Sequence, residues 1–312
     1  MSFELKGMTT AGPAELAISG HRVTYRFQDG LLLQSDTPDL DHPLRILPLG
    51  KLQFGVIDFL ARYPALSSRA RVFEPFAGCG PFGFAALKYG ASSVQLLDVN
   101  PRAAVVHEHT VRANQFDSAA VHSITGSLQG FRPSHEYDLL VANPPFLPCP
   151  TRALATLSSY GGRDGGRWVG ALVRLVDQHL TDDGEALICL YQIVNSEGRP
   201  LVDLQLESMN VLPGRSVSYW MAQDRLAPLE SYVNGYLESH PELSGVVGHW
   251  CSDLLATFGS DLTTAYMIMH VGGRSPNTDQ RQLRGIVASP IRESLLLTPA
   301  DPDYLPVEGT RR

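Results

Sequence analysis

The chain has 312 residues, of which 44% are hydrophobic and 18% charged, enough to bury a substantial core and incompatible with wholesale disorder. The formal net charge is −7, with a pI near 5.8 and no Lys/Arg cluster longer than the terminal Arg311-Arg312. Phosphate neutralisation supplies much of nucleic-acid affinity, so this balance favours a small molecule or a protein as partner over a nucleic acid. Lys6, Lys51 and Lys88 are the only lysines among 25 basic residues, a compositional bias that makes any surface Arg weak evidence of recognition. Cys79, Cys149, Cys189 and Cys251 fit neither a zinc spacing nor a redox pair, so no metal is expected. The segment MSFELKGMTT lacks the pattern of a signal peptide and no apolar run reaches membrane-spanning length; a cytoplasmic protein with reduced thiols is expected.

Residues 16–36 alternate in polarity around Asp29-Gly30, a hairpin signal. Residues 37–48 hold three prolines and read as a linker. Leu52, Val56, Ile57, Phe59 and Leu60 predict a helix over 51–63. A strand at Val72–Glu74 then runs into a Gly-rich turn and a helix starting near Gly83. A second strand, Val94–Leu97, ends at Asp98 and a helix follows over 101–114. Short strands are predicted near 120–124 and at Tyr137–Ala142. A helix over 166–180 leads through a turn at Thr181-Asp182-Asp183-Gly184 to a strand at Glu185–Tyr191. Strands at Ser216–Ala222 and Ala265–Val271 flank a helical insertion over 226–257. The tail from Gly272 is weakly periodic and is expected to wrap the surface or be partly disordered. Strand–helix alternation at this spacing predicts an α/β fold with a Rossmann-like, seven-stranded, doubly wound sheet. The expected divisions are an N-terminal β-containing extension (1–48), a main domain (49–272) carrying the insertion, and a C-terminal tail (273–312).

Ligands of open α/β sheets bind at the carboxyl ends of the strands. The turn Glu74-Pro75-Phe76-Ala77-Gly78-Cys79-Gly80 occupies such an end, where glycine permits positive φ and close approach of a ligand. Gly78, Gly80 and Gly83 also give the spacing of a dinucleotide turn, and a tight turn without any ligand needs the same residues. Asp98, eighteen residues beyond Gly80, suits the hydroxyls of an adenosine ribose, in NAD or in S-adenosylmethionine; it also suits a solvated strand end. Glu74 favours S-adenosylmethionine, because a carboxylate repels a pyrophosphate but can face the methionine amino group.

Taken together, FEPFAGCGPFG, LLDVN and VANPPF resemble the class I S-adenosylmethionine-dependent methyltransferases over residues 68–195. The resemblance implies cofactor binding by Glu74, Phe76, Ala77, Gly78, Gly80, Asp98, Val99, Asn100 and Asn143. Ser127 and Leu128 follow the third strand, where many relatives place an acidic residue against the adenine; they take that place here. Asn143-Pro144-Pro145-Phe146 resembles the motif of enzymes that methylate exocyclic or amide nitrogen, and implies that these four residues are catalytic. Gly161-Gly162-Arg163-Asp164-Gly165-Gly166 is similar to a segment of the protein-glutamine N5-methyltransferases, the nearest branch.

The residue types suit that chemistry. A planar nitrogen conjugates its lone pair and is a poor nucleophile. Hydrogen bonds to the Asn143 side-chain oxygen and the Pro144 carbonyl would hold it and favour the pyramidal geometry of the transition state. Two prolines stiffen the turn, and Phe146 offers a stacking face. Substrate contacts are expected from Tyr160, Arg163 and Asp164 after the turn, and from Tyr232 and Trp250 of an insertion that also holds Tyr236 and His249 and would act as a lid. Arg163 and Asp164 are equally readable as a pair that fastens the loop, and the insertion as a packing layer. The helical docking domain usual in the glutamine enzymes is replaced by about 70 residues that begin with a hairpin pattern. The expected function is therefore N-methylation of a guanidino, amide or amino nitrogen on a small molecule. Protein-glutamine and RNA or DNA base methylation are the alternatives. His107, His109, His122 and His135 have no ligand spacing and receive no role.

Overall fold

The computed structural model describes residues 21–63, 66, 70–156, 158–209, 211–221, 226–274 and 285–288. The chain divides into two compact units, residues 1–137 with 294–312, and residues 138–293. Its described elements make a mixed α/β fold of the expected Rossmann-like kind.

The first unit opens with the hairpin, β1 (Arg22–Arg26) antiparallel to β2 (Leu32–Asp36). Asp29 Oδ1 accepts from the Leu31 amide at 3.0 Å and Gly30 takes φ +88°, which closes the turn as the Asp-Gly pair predicts. Residues 16–20 of the expected hairpin lie outside the described residues. Helix α1 (Lys51–Leu60) follows the linker. Strands β3 (Arg71–Pro75), β4 (Ser93–Asp98) and β5 (Val121–Thr125) are parallel, in the order β3-β4-β5. Helices α2 (Pro81–Lys88) and α3 (Arg102–Asn114) make the crossovers. Val72, Phe73, Leu96 and Leu97 of the strands are buried, as are Phe82 and Phe84 of α2, and Phe73 stacks on Phe131 and Tyr137.

The hairpin is fastened to α3. Asn114 exchanges hydrogen bonds with both backbone groups of Leu32, at 2.8 and 2.6 Å. Beneath them, the fully buried Asp36 carboxylate receives the Arg102 guanidinium through Nε, at 2.9 Å, and through a second short contact. The Ile46 amide also donates to Asp36, at 2.7 Å, so one carboxylate ties hairpin, linker and helix.

In the second unit the strand order is β11-β8-β10-β7-β6. These are β6 (Tyr137–Ala142, from Asp138 in this unit), β7 (Leu180–Val194), β8 (Arg215–Met221), β10 (Thr263–Arg274) and β11 (Gly285–Ala288). A two-residue β9 (Ala227–Pro228) pairs with β10. Strand β10 runs antiparallel between β7 and β8, and β11 is parallel to β8. The helices are α4 (Val169–His179), α5 (Leu201–Met209), α6 (Leu229–Ser239) and α7 (Ser244–Phe258).

Three features differ from the sequence reading. Thr181-Asp182-Asp183-Gly184 is part of β7, not a turn. The buried Arg215 guanidinium collects the carbonyls of Leu180, Thr181 and Gly184 at 3.2, 2.9 and 2.8 Å, a tertiary arrangement that local turn propensity does not register. Helix α5 was not anticipated between the β7 and β8 patterns. The insertion is two helices rather than one stretch, broken where Pro241 opens a 3₁₀ turn. The expected seven strands are roughly matched among the described residues, the additions being the two-residue β9 and β11 within the tail. The remainder of the tail from 275 lies outside the described residues.

Breaking a buried ion pair from one side typically costs about 3–5 kcal/mol, whereas apolar replacement of both partners costs far less. Asp36→Ala is therefore expected to lose about that much stability in urea denaturation, and the Asp36→Leu/Arg102→Met double variant to recover most of it.

Candidate active site

The first unit carries the Gly-rich turn. Strand β3 ends at Pro75, and the chain turns through left-handed backbone at Phe76 (φ +59°), Gly78 (φ +53°) and Gly80 (φ +73°) before Pro81 starts α2. A Cβ at Gly80 would meet the Phe84 ring at 2.9 Å and Leu96 at 3.1 Å. One at Gly78 would meet nothing nearer than Ile46 at 4.0 Å, an ordinary contact, so that residue is less crowded than Gly80. Phe76 adopts the same region with a side chain, a strained state of the kind concentrated at ligand sites.

Two acidic groups hold this turn. Asp98 Oδ2 accepts from the Gly78 amide at 2.7 Å, and Oδ1 from the Asn100 amide at 2.8 Å. Burial pushes the Asp98 carboxyl up, against the pull of these amides. The Val99 amide also donates to this carboxylate, so of its about four lone-pair sites one remains for a hydroxyl donor. Glu74 is buried, and its oxygens accept from the Gly83 and Phe82 amides at 2.6 and 3.4 Å. Burial raises its pKa to about 8 despite these bonds. Gly83 allows this approach, since a Cβ there would lie 3.1 Å from Glu74 Oε2. The Asn100 side chain is committed elsewhere, donating to the Leu44 carbonyl at 3.0 Å and accepting from the Arg102 amide at 3.0 Å. Ser127 is exposed and Leu128 buried, at the turn after β5.

His107 is a member of this site that sequence reasoning missed. It is buried on α3, with Nε2 3.0 Å from the Gly78 carbonyl and Nδ1 2.8 Å from Ser123 Oγ. Burial lowers its pKa to about 4, so the ring is neutral at physiological pH. The Gly78 carbonyl can only accept, which places the proton on Nε2 and leaves Nδ1 to accept from the Ser123 hydroxyl. The legible signal was a polar ring on the buried stripe Ala103, Val106, His107, Thr110.

The second unit carries the Asn143–Phe146 turn. Asn143 Oδ1 is buried and has no hydrogen-bond partner among the described residues. Pro144 and Pro145 contribute no N–H, so this stretch of backbone offers acceptors only. The segment beyond it pairs with the glycine run: the Leu147 amide donates to Ser159 O at 2.9 Å, Gly161 N to Leu147 O at 3.0 Å, and Cys149 N to Gly162 O at 2.7 Å. A Cβ at Gly161 would overlap the Phe146 backbone, and one at Gly165 would lie 2.6 Å from the Phe146 carbonyl. The glycines are there because the two segments are in direct backbone contact.

The expected substrate residues are distributed differently. Tyr160 is bridged to Leu147 and has the Arg152 and Arg167 guanidinium groups 5.3 and 5.4 Å from its ring centre. Arg163 and Asp164 do not pair with each other. Arg163 reaches Asp253 at 2.8 Å, and Asp164 accepts from the Gly166 amide at 2.9 Å. Trp250 is fully buried rather than lining a lid, and its Nε1 donates to the Arg163 carbonyl at 2.9 Å. The Tyr232 and Tyr236 hydroxyls both lie within hydrogen-bonding distance of the Pro148 carbonyl, at 2.8 and 3.0 Å. His249 is exposed beside Asp253. The insertion thus fastens the segment before the glycine run, at Pro148, and the run itself, at Arg163. Tyr191 and Tyr266, both unanticipated, are register partners on β7 and β10, and extend a chain of ring contacts from Phe146 to Tyr232.

Among the described residues no group of three or more His, Cys, Asp and Glu is placed to hold a metal ion, and no helix is long and apolar enough to cross a membrane.

Residues 59–157, from the end of α1 to beyond the Asn143–Phe146 turn, match the methyltransferase small domain family. No curated protein sequence matches the chain. Among solved structures, the chain is similar to M. jannaschii TYW2 in complex with AdoMet, with 11% identity, TM-score 0.47, and 83% of this chain and 89% of that one covered. It is similar to an rRNA methylase from Streptococcus thermophilus, at 11% identity and TM-score 0.42, covering 73% and 100%. It is also similar to a ribosomal protein L11 methylase from Lactobacillus delbrueckii subsp. bulgaricus, at 16% identity and TM-score 0.38, covering 72% and 77%.

Two predictions follow from these contacts. Unfolded His107 takes a proton near its ordinary 6.5, the folded ring only near 4. The unfolded state therefore binds more protons between those values, and this residue's contribution is complete above pH 6.5 and lost as pH falls toward 4. Glu74, raised from 4.5 to about 8, acts with the opposite sign, its contribution fading as pH rises through 8. The stability difference between wild type and His107→Gln, followed by denaturation across pH 4–7, should change by up to about 3 kcal/mol; a flat difference contradicts a neutral buried ring. Replacing both Tyr232 and Tyr236 by Phe leaves the Pro148 carbonyl without these donors and should cost about 1–3 kcal/mol, read by the same method.

Proposed function

We propose that the chain is an S-adenosylmethionine-dependent N-methyltransferase acting on a guanidino, amide or amino nitrogen of a small molecule, such as an amino acid or a specialised metabolite. The observation that carries this reading is the buried Asn143 oxygen without a donor. An amide acceptor left unpaired in the interior costs about 1–3 kcal/mol, and an N–H of the acceptor molecule would satisfy it. Pro144 and Pro145 offer carbonyls without N–H groups beside that oxygen, which suits a group bearing two N–H donors.

The cofactor is S-adenosylmethionine, and the turn in the first unit fits it. Asp98 keeps a lone pair for a ribose hydroxyl, and a Cβ at Gly78 would come no nearer than 4.0 Å to Ile46, so the turn is uncrowded there. Phe76, Ala77 and Gly80 shape that turn, while Val99 and Asn100 follow the acidic strand end. Ser127 and Leu128 stand on the adenine side. Glu74 places an acidic group beneath the turn that an ammonium would favour in its ionised form. When bound, the cofactor supplies a methyl group on a sulfonium centre.

The residues of this chain hold and orient the nitrogen. Asn143 Oδ1 and the Pro144 carbonyl accept its N–H groups, and these bonds strengthen as the nitrogen becomes pyramidal. Phe146 stacks on the planar group. The departing proton needs no strong base, since the methylated nitrogen is acidic until it loses it to water or a carboxylate. The net charge of −7 favours a compact substrate that is not a polyanion.

The test is transfer of a labelled methyl group to a panel of arginine, glutamine, small amines, protein and RNA. Label on a small molecule is the expected result; label on protein or RNA alone overturns the choice of substrate. Asn143→Ala should lower turnover by roughly a hundredfold, the scale of removing one transition-state hydrogen bond, while cofactor affinity holds. Activity that survives this change contradicts the role given to the turn.

A further inference from the structure

We propose that His107 is a positioning residue for the cofactor turn, an assignment that rests on the methyltransferase reading: its Nε2–H fixes the direction of the Gly78 carbonyl. Gly78 is held at both of its backbone polar groups. Its amide donates to Asp98 Oδ2 at 2.7 Å, and its carbonyl lies 3.0 Å from His107 Nε2. These two bonds set the peptide planes on either side of Gly78, where an added Cβ would come no nearer than 4.0 Å to Ile46. Since φ +53° is easily changed at glycine, local propensity does not hold this conformation. The hydrogen bonds do.

His107 is itself held on two sides. The Ser123 hydroxyl on β5 donates to Nδ1, which keeps the proton on Nε2, and the Phe84 ring packs edge-on against the imidazole with centres 5.8 Å apart. The chain of contacts therefore runs from β5 through α3 to the turn after β3, within one unit. An apolar side chain at 107 would fill the space but leave the Gly78 carbonyl without its donor. The turn would then rotate to find another, and the preorganised face would be lost. Glutamine keeps an N–H at a comparable reach and should preserve the arrangement. Ser123→Ala leaves the ring in place but removes the group that selects its tautomer.

The experiment is calorimetric titration of the full chain with S-adenosylmethionine, for wild type, His107→Leu, His107→Gln and Ser123→Ala, with thermal midpoints for each. Nitrogen NMR of ¹⁵N-histidine-labelled wild type reads the tautomer. The expected pattern is a dissociation constant raised roughly tenfold by Leu, restored to about wild type by Gln, and raised roughly threefold by Ser123→Ala, as loss of one buried hydrogen bond implies. Wild-type His107 should show a protonated Nε2. Equal affinity in Leu and wild type overturns the proposal, as does equal weakening by Leu and Gln, which would make the effect one of packing. If the Leu variant does not fold, unchanged affinity in Ser123→Ala together with a protonated Nδ1 in wild type overturns it. Wild-type protein that binds no S-adenosylmethionine removes the methyltransferase reading, and this inference with it.

Discussion

The turn from Phe76 to Gly80 is left-handed at three residues, and hydrogen bonds from outside the turn hold it there. Asp98 takes the Gly78 amide, His107 the Gly78 carbonyl, and Glu74 the first amides of α2. Each of these groups is wholly or largely withdrawn from water, so each bond is strong and each unpaired group would be expensive. The packing of the first unit serves this arrangement. Gly80 and Gly83 bring α2 against Leu96, while Ile46 of the linker joins Cys79, Ala103 and Val106 in a small apolar cluster. The hairpin, through Asp36 and Arg102, fixes the start of α3, the helix that carries His107.

The second unit solves a different problem, that of keeping an amide oxygen buried and free. Two prolines stiffen the Asn143–Phe146 turn and remove two of its backbone donors. The glycine run then lies directly on Phe146, and its own shape is held by Trp250 at the Arg163 carbonyl and by Asp164 at the Gly166 amide. Tyr232 and Tyr236 fasten the next segment at Pro148. The aromatic residues of the insertion are thus structural members of the turn's support, and the contacts of Arg163 and Trp250 describe a brace where the sequence suggested a lid.

Much of the nucleus was legible because its signals are local. Strands β3, β4 and β6 are largely apolar runs that lead into Pro75, Asp98 and Asn143, and the hairpin announces itself through Asp29-Gly30. What stayed hidden depends on distant partners. Thr181–Gly184 has the composition of a turn and becomes strand because Arg215 gathers its carbonyls. The short β11 takes its pairing from β8. Arg163 and Asp164 are adjacent in sequence, yet each is claimed by another group, Asp253 and Gly166. His107 carries no motif at all, since its role exists only where α3 passes the turn after β3.

The central claim is that the glycine turn of the first unit is built for S-adenosylmethionine and not for a pyrophosphate. Calorimetric titration with S-adenosylhomocysteine and, separately, with NAD distinguishes the two directly. Saturable one-to-one binding of S-adenosylhomocysteine with no heat from NAD is the predicted result. Binding of NAD, or of neither compound, would contradict the account.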